Sequence, residues 1–406
     1  MERRAGASRG RARRLRQRPR RGAALGRIAR VRRLRVAIGA VAGVTGGPAT
    51  YAVELVRALA TLESAFDSRL DLTVLTDRAD LFGGLPGVEV VELPLGSAWS
   101  QPWWDNVAVP RALRRLGADV YHGTKNALPL VGGGDVPRTV VTIHDLAVYA
   151  EPETFSWAQR LQLRVHLRHA GRSADRVICV SQHAAGDVVE RLGVPRERIT
   201  VVPHGIGAAF RPLAGGAART VVRQEYGVGP AGFLLAYVGT AQPRKRIEVA
   251  VAAASRLVDE GLPVTLAIAG RRRPGYAPDF LERPPPFVRV VGEVPSEQLV
   301  ALLGAADVMV SPSTYEGFGL TFAEAMACGC PVVGVAVTSV PEVVGEGGIL
   351  VERSDPELVA DAIGSLLRDP ALRARTVAAA RARAAALSWE EAARRTAEVY
   401  RAAAAG

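Results

Sequence analysis

Cysteine is scarce in this chain. Cys179, Cys328 and Cys330 are the only three among 406 residues. They are too few for a disulfide framework and are not spaced as a zinc ligand set. They fit a reducing compartment, with buried packing as their use. Long apolar runs are also missing. No stretch holds 18 uninterrupted apolar residues, which argues against a spanning helix. There is no Gly-x-Gly-x-x-Gly fingerprint, and neither an Asp-x-Asp pair at a strand end nor a Cys/His cluster that would hold a metal. Metal independence is therefore an expectation.

Charge of one sign is concentrated rather than spread. The net charge is +12, yet residues 1–35 hold 15 arginines and one glutamate, leaving 37 basic against 39 acidic groups in the rest of the chain. The folded part is thus close to neutral. A block of like charge with little apolar content repels itself and stays disordered. It lacks the apolar centre of a secretory signal. Attachment to anionic lipid or to nucleic acid is the functional reading of such a tail. A dispensable extension is the preferred one, because no aromatic residue interleaves the arginines to stack bases.

What is abundant is alternation. At 406 residues and 48% hydrophobic content, a two-domain chain with real cores is expected. Apolar runs at 34–40, 70–75, 88–93, 120–122, 139–143, 177–180 and 200–202 read as strands. Helical patterns fall at 49–62, 157–170 and 184–192. After Pro203-His204-Gly205 the pattern pauses over a segment rich in Gly, Ala and Pro. A second series then gives strands at 233–238, 264–269, 288–291, 308–311, 331–335 and 348–351. Helices are expected at 247–260, 296–304, 320–328 and 356–367. Strands alternating with helices imply parallel sheets covered on both faces. A last helix spans 388–403.

The densest chemistry lies in Ser311-Pro-Ser-Thr-Tyr-Glu316-Gly-Phe-Gly-Leu-Thr-Phe-Ala-Glu324-Ala-Met-Ala-Cys-Gly-Cys-Pro331. Gly317 and Gly319 disfavour helix, while the residues from Leu320 to Cys328 favour it. Glu316 therefore falls in a loop and Glu324 in the first turns of a helix. Free backbone N–H groups near Phe318, Gly319 and Leu320, with Thr321 in the same turn, suit an anionic phosphate. Glu324 is spaced to accept hydrogen bonds from sugar hydroxyls beside it. The bland alternative is the start of a helix with two solvated glutamates.

This stretch closely resembles the Glu-x7-Glu signature of the retaining GT-B glycosyltransferases of family 4, the group 1 glycosyltransferases. The likeness extends to Ala306-Asp307-Val-Met-Val-Ser-Pro-Ser and to Ala325-Met-Ala-Cys-Gly-Cys-Pro-Val-Val, and covers roughly 34–400. It implies an α/β fold of the GT-B type, with two facing Rossmann-like domains and a C-terminal crossover helix. It also implies that Glu324 binds the ribose of a nucleotide sugar and that Glu316 contacts the donor sugar. The implied division is a disordered Arg-rich extension (1–33), an N-terminal acceptor domain (34–206), a linker (207–231), a nucleotide-sugar domain (232–385) and the crossover helix (386–406).

Other segments take roles from the same resemblance. Gly46-Gly47, before a helix that Pro48 can open, matches the glycine loop that touches donor phosphates and acceptor. In Gly239-Thr240-Ala-Gln-Pro-Arg244-Lys245, Lys245 matches a phosphate-binding lysine with Arg244 as helper. Thr240 stands where many relatives carry an arginine. Two cations at a strand's carboxyl end suit a departing diphosphate. His144-Asp145, after the strand at 139–143, resembles the catalytic pair, with Asp145 placed to orient the imidazole. The acceptor side is assigned to Lys125, Asn126 and Asp145, with His122 ending the same earlier strand. His204 replaces the usual Asn of the junction turn and is read as structural.

The resulting expectation is a cytoplasmic, metal-independent, retaining hexosyltransferase with no cofactor. His144, Glu316 and Lys245 are its catalytic residues. It moves a mannose- or glucose-type sugar from a UDP- or GDP-linked donor to a hydroxyl-bearing glycan or lipid, in glycan, glycolipid or polysaccharide synthesis. Peripheral contact with anionic membrane through the tail is admitted, and specific nucleic-acid binding is not expected. Within the fold, the rivals are a nucleotide-sugar epimerase and a sugar phosphorylase. A dinucleotide-dependent oxidoreductase, with the Gly43–Gly47 loop and Asp77, lacks its fingerprint and leaves Glu316 and Glu324 unexplained.

Overall fold

The computed structural model describes residues 33–41, 46–66, 70–95, 103–130 and 137–406. The arginine-rich tail, expected to be disordered, lies outside the described residues except for Arg33. Among the described residues, thirteen strands form two sheets, parallel throughout. The first holds β1 (Leu34–Ala40), β2 (Leu70–Thr76), β3 (Val88–Glu92), β4 (Val120–Gly123), β5 (Arg138–Ile143), β6 (Arg176–Cys179) and β7 (Ile199–Val201), in the order β3-β2-β1-β4-β5-β6-β7. The second holds β8 (Phe233–Val238), β9 (Val264–Ala269), β10 (Val288–Gly292), β11 (Val308–Ser311), β12 (Val332–Val335) and β13 (Gly348–Val351), in the order β10-β9-β8-β11-β12-β13.

Both orders reverse beside their first strand, between β1 and β4 and between β8 and β11. Such a switch point opens a crevice at the carboxyl ends of the strands. β1 runs on toward Gly46 and Gly47, β4 into Thr124–Asn126, β5 into His144 and Asp145, β8 into Gly239–Lys245 and β11 into Glu316. The topology therefore carries these segments to one place. The registers Val36↔Val120 and Leu235↔Val308 set the paired strand ends level at each switch point.

Side chains on both faces of each sheet are buried, which is why the central strands read as unbroken apolar runs. Ile38, Val74 and Val140 pack under the helix Gly47–Phe66, and Val141, Ile143 and Val177 pack on the other face. In the second sheet, Leu234, Ala236 and Met309 face Phe322 and Met326, while Leu235, Val308 and Val333 face the helices Ile247–Asp259 and Pro356–Arg368.

The C-terminal helix Trp389–Ala405 packs into the core of the first sheet, not the second. Trp389, Ala393, Ala397 and Tyr400 join Tyr51, Leu55 and Leu59 there. Tyr400 Oη lies 2.8 Å from Nδ1 of His122, whose Nε2 lies 2.8 Å from Thr142 Oγ1. His122 is thus a core histidine joining sheet to helix. Gly205 lies against this helix so closely that a Cβ there would sit 2.1 Å from Trp389 N. Ser388 caps the helix by accepting the Glu391 N–H at 3.1 Å.

The fold differs from the sequence expectation in three places. The segment expected as a linker holds a helix, Gly216–Glu225. Its Arg219 and Arg223 donate to the buried carboxylate of Asp307 at 2.7 and 2.6 Å, and a buried acid needs such partners. The helix expected over 184–192 begins at Gln182 and widens into a π-type turn, Val188–Leu192, before Gly193 in the left-handed region. Helices Val109–Leu116 and Pro370–Ala385 go beyond the sequence reading. No helix among the described residues is long and apolar enough to cross a membrane.

Candidate active site

A cleft cavity of about 470 Å³ lies between the carboxyl ends of the two sheets. Gly46, Gly47, His144 and Asp145 line it from the first sheet. Arg244, Lys245, Glu316, Phe318, Gly319, Leu320, Thr321 and Glu324 line it from the second. Every sequence-derived donor-side residue is brought here, and so is Asp145. Lys125 and Asn126 are not in the lining.

Glu316 is fixed at each of its polar atoms. Its N–H donates to Thr338 Oγ1 at 3.0 Å, and its carbonyl accepts from Thr338 Oγ1 and Ser339 Oγ, each at 2.9 Å. Its carboxylate meets Lys245 Nζ at 2.5 Å and Arg244 Nη1 at 3.9 Å. Burial opposes its charged form, but the Lys245 and Arg244 cations outweigh this and hold its pKa below the usual carboxylate value. The cations sit on a tight 3-10 turn, Pro243–Lys245. Arg244 also donates to Tyr315 O at 2.7 Å, so its guanidinium is aimed along the loop rather than into solvent.

Glu324 is the opposite case. It projects from the helix Leu320–Ala327, which follows Gly319 in the left-handed region at φ 88°. It is buried at the cleft wall, and among the described residues no cation pairs with it. Burial, aided by Glu54, pushes its pKa up to about 8. The site thus sets a glutamate held below the usual carboxylate value beside one that burial pushes up to about 8.

The wall opposite is His144. Its Nε2–H donates to Thr124 O at 2.8 Å, which assigns the tautomer, since a carbonyl only accepts. Burial lowers the imidazole pKa, so the ring is neutral with Nδ1 carrying the lone pair. Thr124, not Asp145, orients the ring; Asp145 Oδ1 instead accepts the Ala147 N–H at 3.0 Å. Asn126 stands behind the wall, where its Oδ1 accepts the His144 backbone N–H at 2.7 Å. Burial lowers the Lys125 pKa, with the Asp105 and Asp77 carboxylates acting against it, and its charge also acts on His144. Burial pushes Asp105 up to about 6, with Lys125 acting against it.

Loop 315–317 bridges the two halves. Tyr315 Oη accepts the Leu146 N–H at 3.1 Å and donates to Asp187 Oδ2 at 3.2 Å. Ser181 Oγ donates to Gly317 O at 2.9 Å. A Cβ on Gly317 would stand 2.2 Å from His144 O, so only glycine permits this approach. His204 stacks on His144 with centroids 5.6 Å apart and meets the edge of Phe318 at 4.8 Å.

Three non-glycine residues among the described ones have positive φ: Asn126, Arg246 and Thr338. Each adjoins a site residue, namely His144, Lys245 and Glu316. Strained backbone of this kind gathers where a site over-determines its geometry. Sequence reasoning missed Thr338, Ser339, Tyr315 and Thr124, whose residue types give no signal without the fold.

Residues 45–210 match the family model described as Glycosyltransferase Family 4, and residues 232–369 match Glycosyl transferases group 1. The O-antigen chain mannosyltransferase B of Escherichia coli is 32% identical over 71% of this chain and 76% of that protein. The chain belongs to glycosyltransferase family 4. The D-inositol 3-phosphate glycosyltransferase of Salinispora arenicola is 33% identical over 56% of this chain. That match spans 54% of the relative, about half its length. The Anabaena protein HepE, solved with UDP and glucose, superposes with a TM-score of 0.69 at 20% identity, over 90% of this chain and 98% of its own. The fold of this family 4 member is thus GT-B.

Proposed function

We propose that this chain is a retaining hexosyltransferase that moves a mannose- or glucose-type sugar from a UDP- or GDP-linked donor to a hydroxyl of a glycan or lipid acceptor. One observation carries the reading. Two cations, a glutamate held by them, a second buried glutamate and a neutral histidine converge on one cleft between the two parallel sheets. The mannosyltransferase relative and the HepE complex with UDP and glucose are in keeping with it.

In this reading the diphosphate lies against Arg244, Lys245 and the N–H groups that open the helix Leu320–Ala327, where a helix N-terminus favours an anion. Lys245 shifts part of its charge from Glu316 to the leaving diphosphate as that charge grows. Only such differential stabilisation speeds the step. Glu324 hydrogen-bonds the ribose and Glu316 a sugar hydroxyl. His144 borders the reacting carbon, and the first sheet supplies the acceptor's wall. Glu316 is paired with Lys245, burial raises the Glu324 carboxyl to about 8, and Asp145 Oδ1 accepts a backbone N–H. These engagements favour direct transfer over a glycosyl–enzyme bond. Retention then follows from attack on the face that the diphosphate leaves, with the leaving phosphate taking the acceptor proton. Protein cations meet the diphosphate, so the reaction proceeds without a metal.

The test is a panel of UDP- and GDP-sugars scored by thermal stabilisation of the protein, followed by NMR assignment of the product's anomeric configuration with and without EDTA. Stabilisation by a nucleotide sugar, an unchanged anomeric configuration and full activity in EDTA are expected. An inverted product, or activity lost to EDTA and restored by manganese, overturns the corresponding part.

A further inference from the structure

Eight large hydrophobic side chains are exposed among the described residues, and three of them share one helix, Trp157–Ser173. Trp157 is 78% exposed, Leu161 60% and Val165 47%. Spaced four apart, they form one stripe along the helix surface. The opposite side, with Leu167 and Ala170, is buried in the core of the first sheet. The orientation is fixed from the first turn. Ser156 Oγ accepts the Gln159 N–H at 3.3 Å, and Gln159 Oε1 accepts the Ser156 N–H at 3.0 Å. Trp157 is therefore held outward by a capped helix rather than exposed by fraying.

Charge follows the stripe. Arg160, Arg164, Arg168 and Arg172 recur every four residues beside it, and the helix contains no acidic residue. Their partners are carbonyls and a ring. Arg160 Nε donates to Phe155 O at 2.9 Å, Arg164 Nη2 to Val148 O at 3.3 Å and Arg172 Nε to Leu192 O at 3.1 Å. The guanidinium carbons of Arg164 and Arg168 lie 5.1 and 6.0 Å from the Tyr149 ring centroid. Among the described residues no carboxylate pairs with any of the four. Aromatic and aliphatic side chains beside uncompensated arginines make the composition of an interfacial helix.

We propose that this helix face docks the protein on an anionic lipid bilayer. Trp157, Leu161 and Val165 enter the boundary between headgroups and acyl chains, and the arginines meet lipid phosphates. Charge complementarity selects this occupant: a second copy of this face would set the same arginines against each other. The site also has a route to the cleft. Arg164 holds Val148 O and covers Tyr149, on the short segment that follows Asp145. Docking thus places the wall carrying His144 and Asp145 near the membrane. The inference rests on the helix itself and not on the donor reading.

The full chain is mixed with vesicles of phosphatidylcholine carrying roughly one-third phosphatidylglycerol, whose surface potential attracts basic residues, and with pure phosphatidylcholine vesicles. No sugar donor is present, so a failure here leaves the transferase reading untouched. Brominated acyl chains report insertion by quenching tryptophan, and Trp157→Phe isolates the contribution of Trp157. Quenching at Trp157 and at least tenfold weaker association of Trp157→Ser/Leu161→Ser, with an unchanged melting temperature, are expected. Arg168→Gln keeps the apolar stripe and should weaken binding to the anionic vesicles alone. Three results overturn the proposal: salt-screened binding that the double variant does not alter, which assigns the contact to the basic tail; an unquenched Trp157; or self-association that the double variant abolishes without vesicle binding.

Discussion

Lys245 Nζ and Glu316 Oε1 stand 2.5 Å apart, with both side chains largely withdrawn from water. Removing one partner of such a pair leaves a buried charge behind. Arg244 remains 3.9 Å from the other carboxylate oxygen and softens the loss. Lys245→Ala should therefore destabilise the protein by about 1–3 kcal/mol, below the full cost of an isolated buried charge. Turnover should fall further than donor affinity, because the lysine's charge matters most as the diphosphate leaves. Denaturation and single-turnover kinetics measure the two effects. Pairing with Glu316→Gln in a double-mutant cycle should give a coupling of about 1 kcal/mol or more. Strict additivity would show that the pair carries no energetic link.

Asn126 acts through His144 rather than on substrate. It occupies the left-handed region at φ 56° and accepts the His144 N–H. Asn126→Ala meets two costs, backbone strain of about 1–2 kcal/mol and an unsatisfied buried N–H worth about 1–3 kcal/mol. Asn126→Gly relieves only the first. Asn126→Asp keeps an acceptor and tolerates the same φ. Stability should rank Ala below Gly below Asp, while turnover should recover only in Asp, with donor affinity nearly constant. A glycine variant with full turnover would remove the hydrogen bond from the argument.

The alternating strands were legible because each is an apolar run bounded by turn residues. All thirteen lie where the apolar pattern places them, with ends shifted by a residue or so. The donor side of the cleft was legible for a second reason. Parallel strands end on one side of a sheet, so residues just beyond strands 8 and 11 must be neighbours. The helix Gly216–Glu225 was not legible. Its arginines gain their meaning from Asp307, more than 80 residues further along the chain. Thr338 and Ser339 escaped for the same reason, since a hydroxyl that braces Glu316 is chemically ordinary until the fold brings it there. Lys125 and Asn126 were drawn toward the cleft by their strand end. The left-handed turn at Asn126 places its amide behind His144 instead.

Tyr400 ties the C-terminal helix to the first sheet through His122. Burial lowers the His122 pKa to about 3, so its ring is neutral and needs one donor and one acceptor among its neighbours. Tyr400 and Thr142 supply them. Tyr400→Phe leaves Nδ1 buried and unmatched, and should cost about 1–3 kcal/mol. Because Tyr400 does not line the cleft, donor affinity at a temperature below melting should stay as in the parent. A variant as stable as the parent would show that the helix is held by apolar packing alone.

Glu324 gives a prediction in pH. Its carboxyl titrates near 4.5 in an unfolded chain and is pushed up to about 8 by burial in the fold. Between these values the unfolded state gives up its proton and the folded state keeps it. Stability credited to the protonated carboxyl is therefore whole below pH 4.5, falls through the interval and is flat above about 8. Glu324→Gln cannot ionise, so its advantage over the parent should open across that interval and then stay constant. Chemical denaturation at acidic, neutral and mildly alkaline pH measures the gap. For the donor, glutamine imitates the protonated acid and should keep affinity within a few-fold. Glu324→Ala removes the hydrogen bonds altogether and should weaken binding at least about tenfold, equivalent to about 1.4 kcal/mol. A parent and glutamine variant of equal stability at every pH would mean that Glu324 is ionised in the free cleft. The ribose would then meet a carboxylate rather than a carboxylic acid.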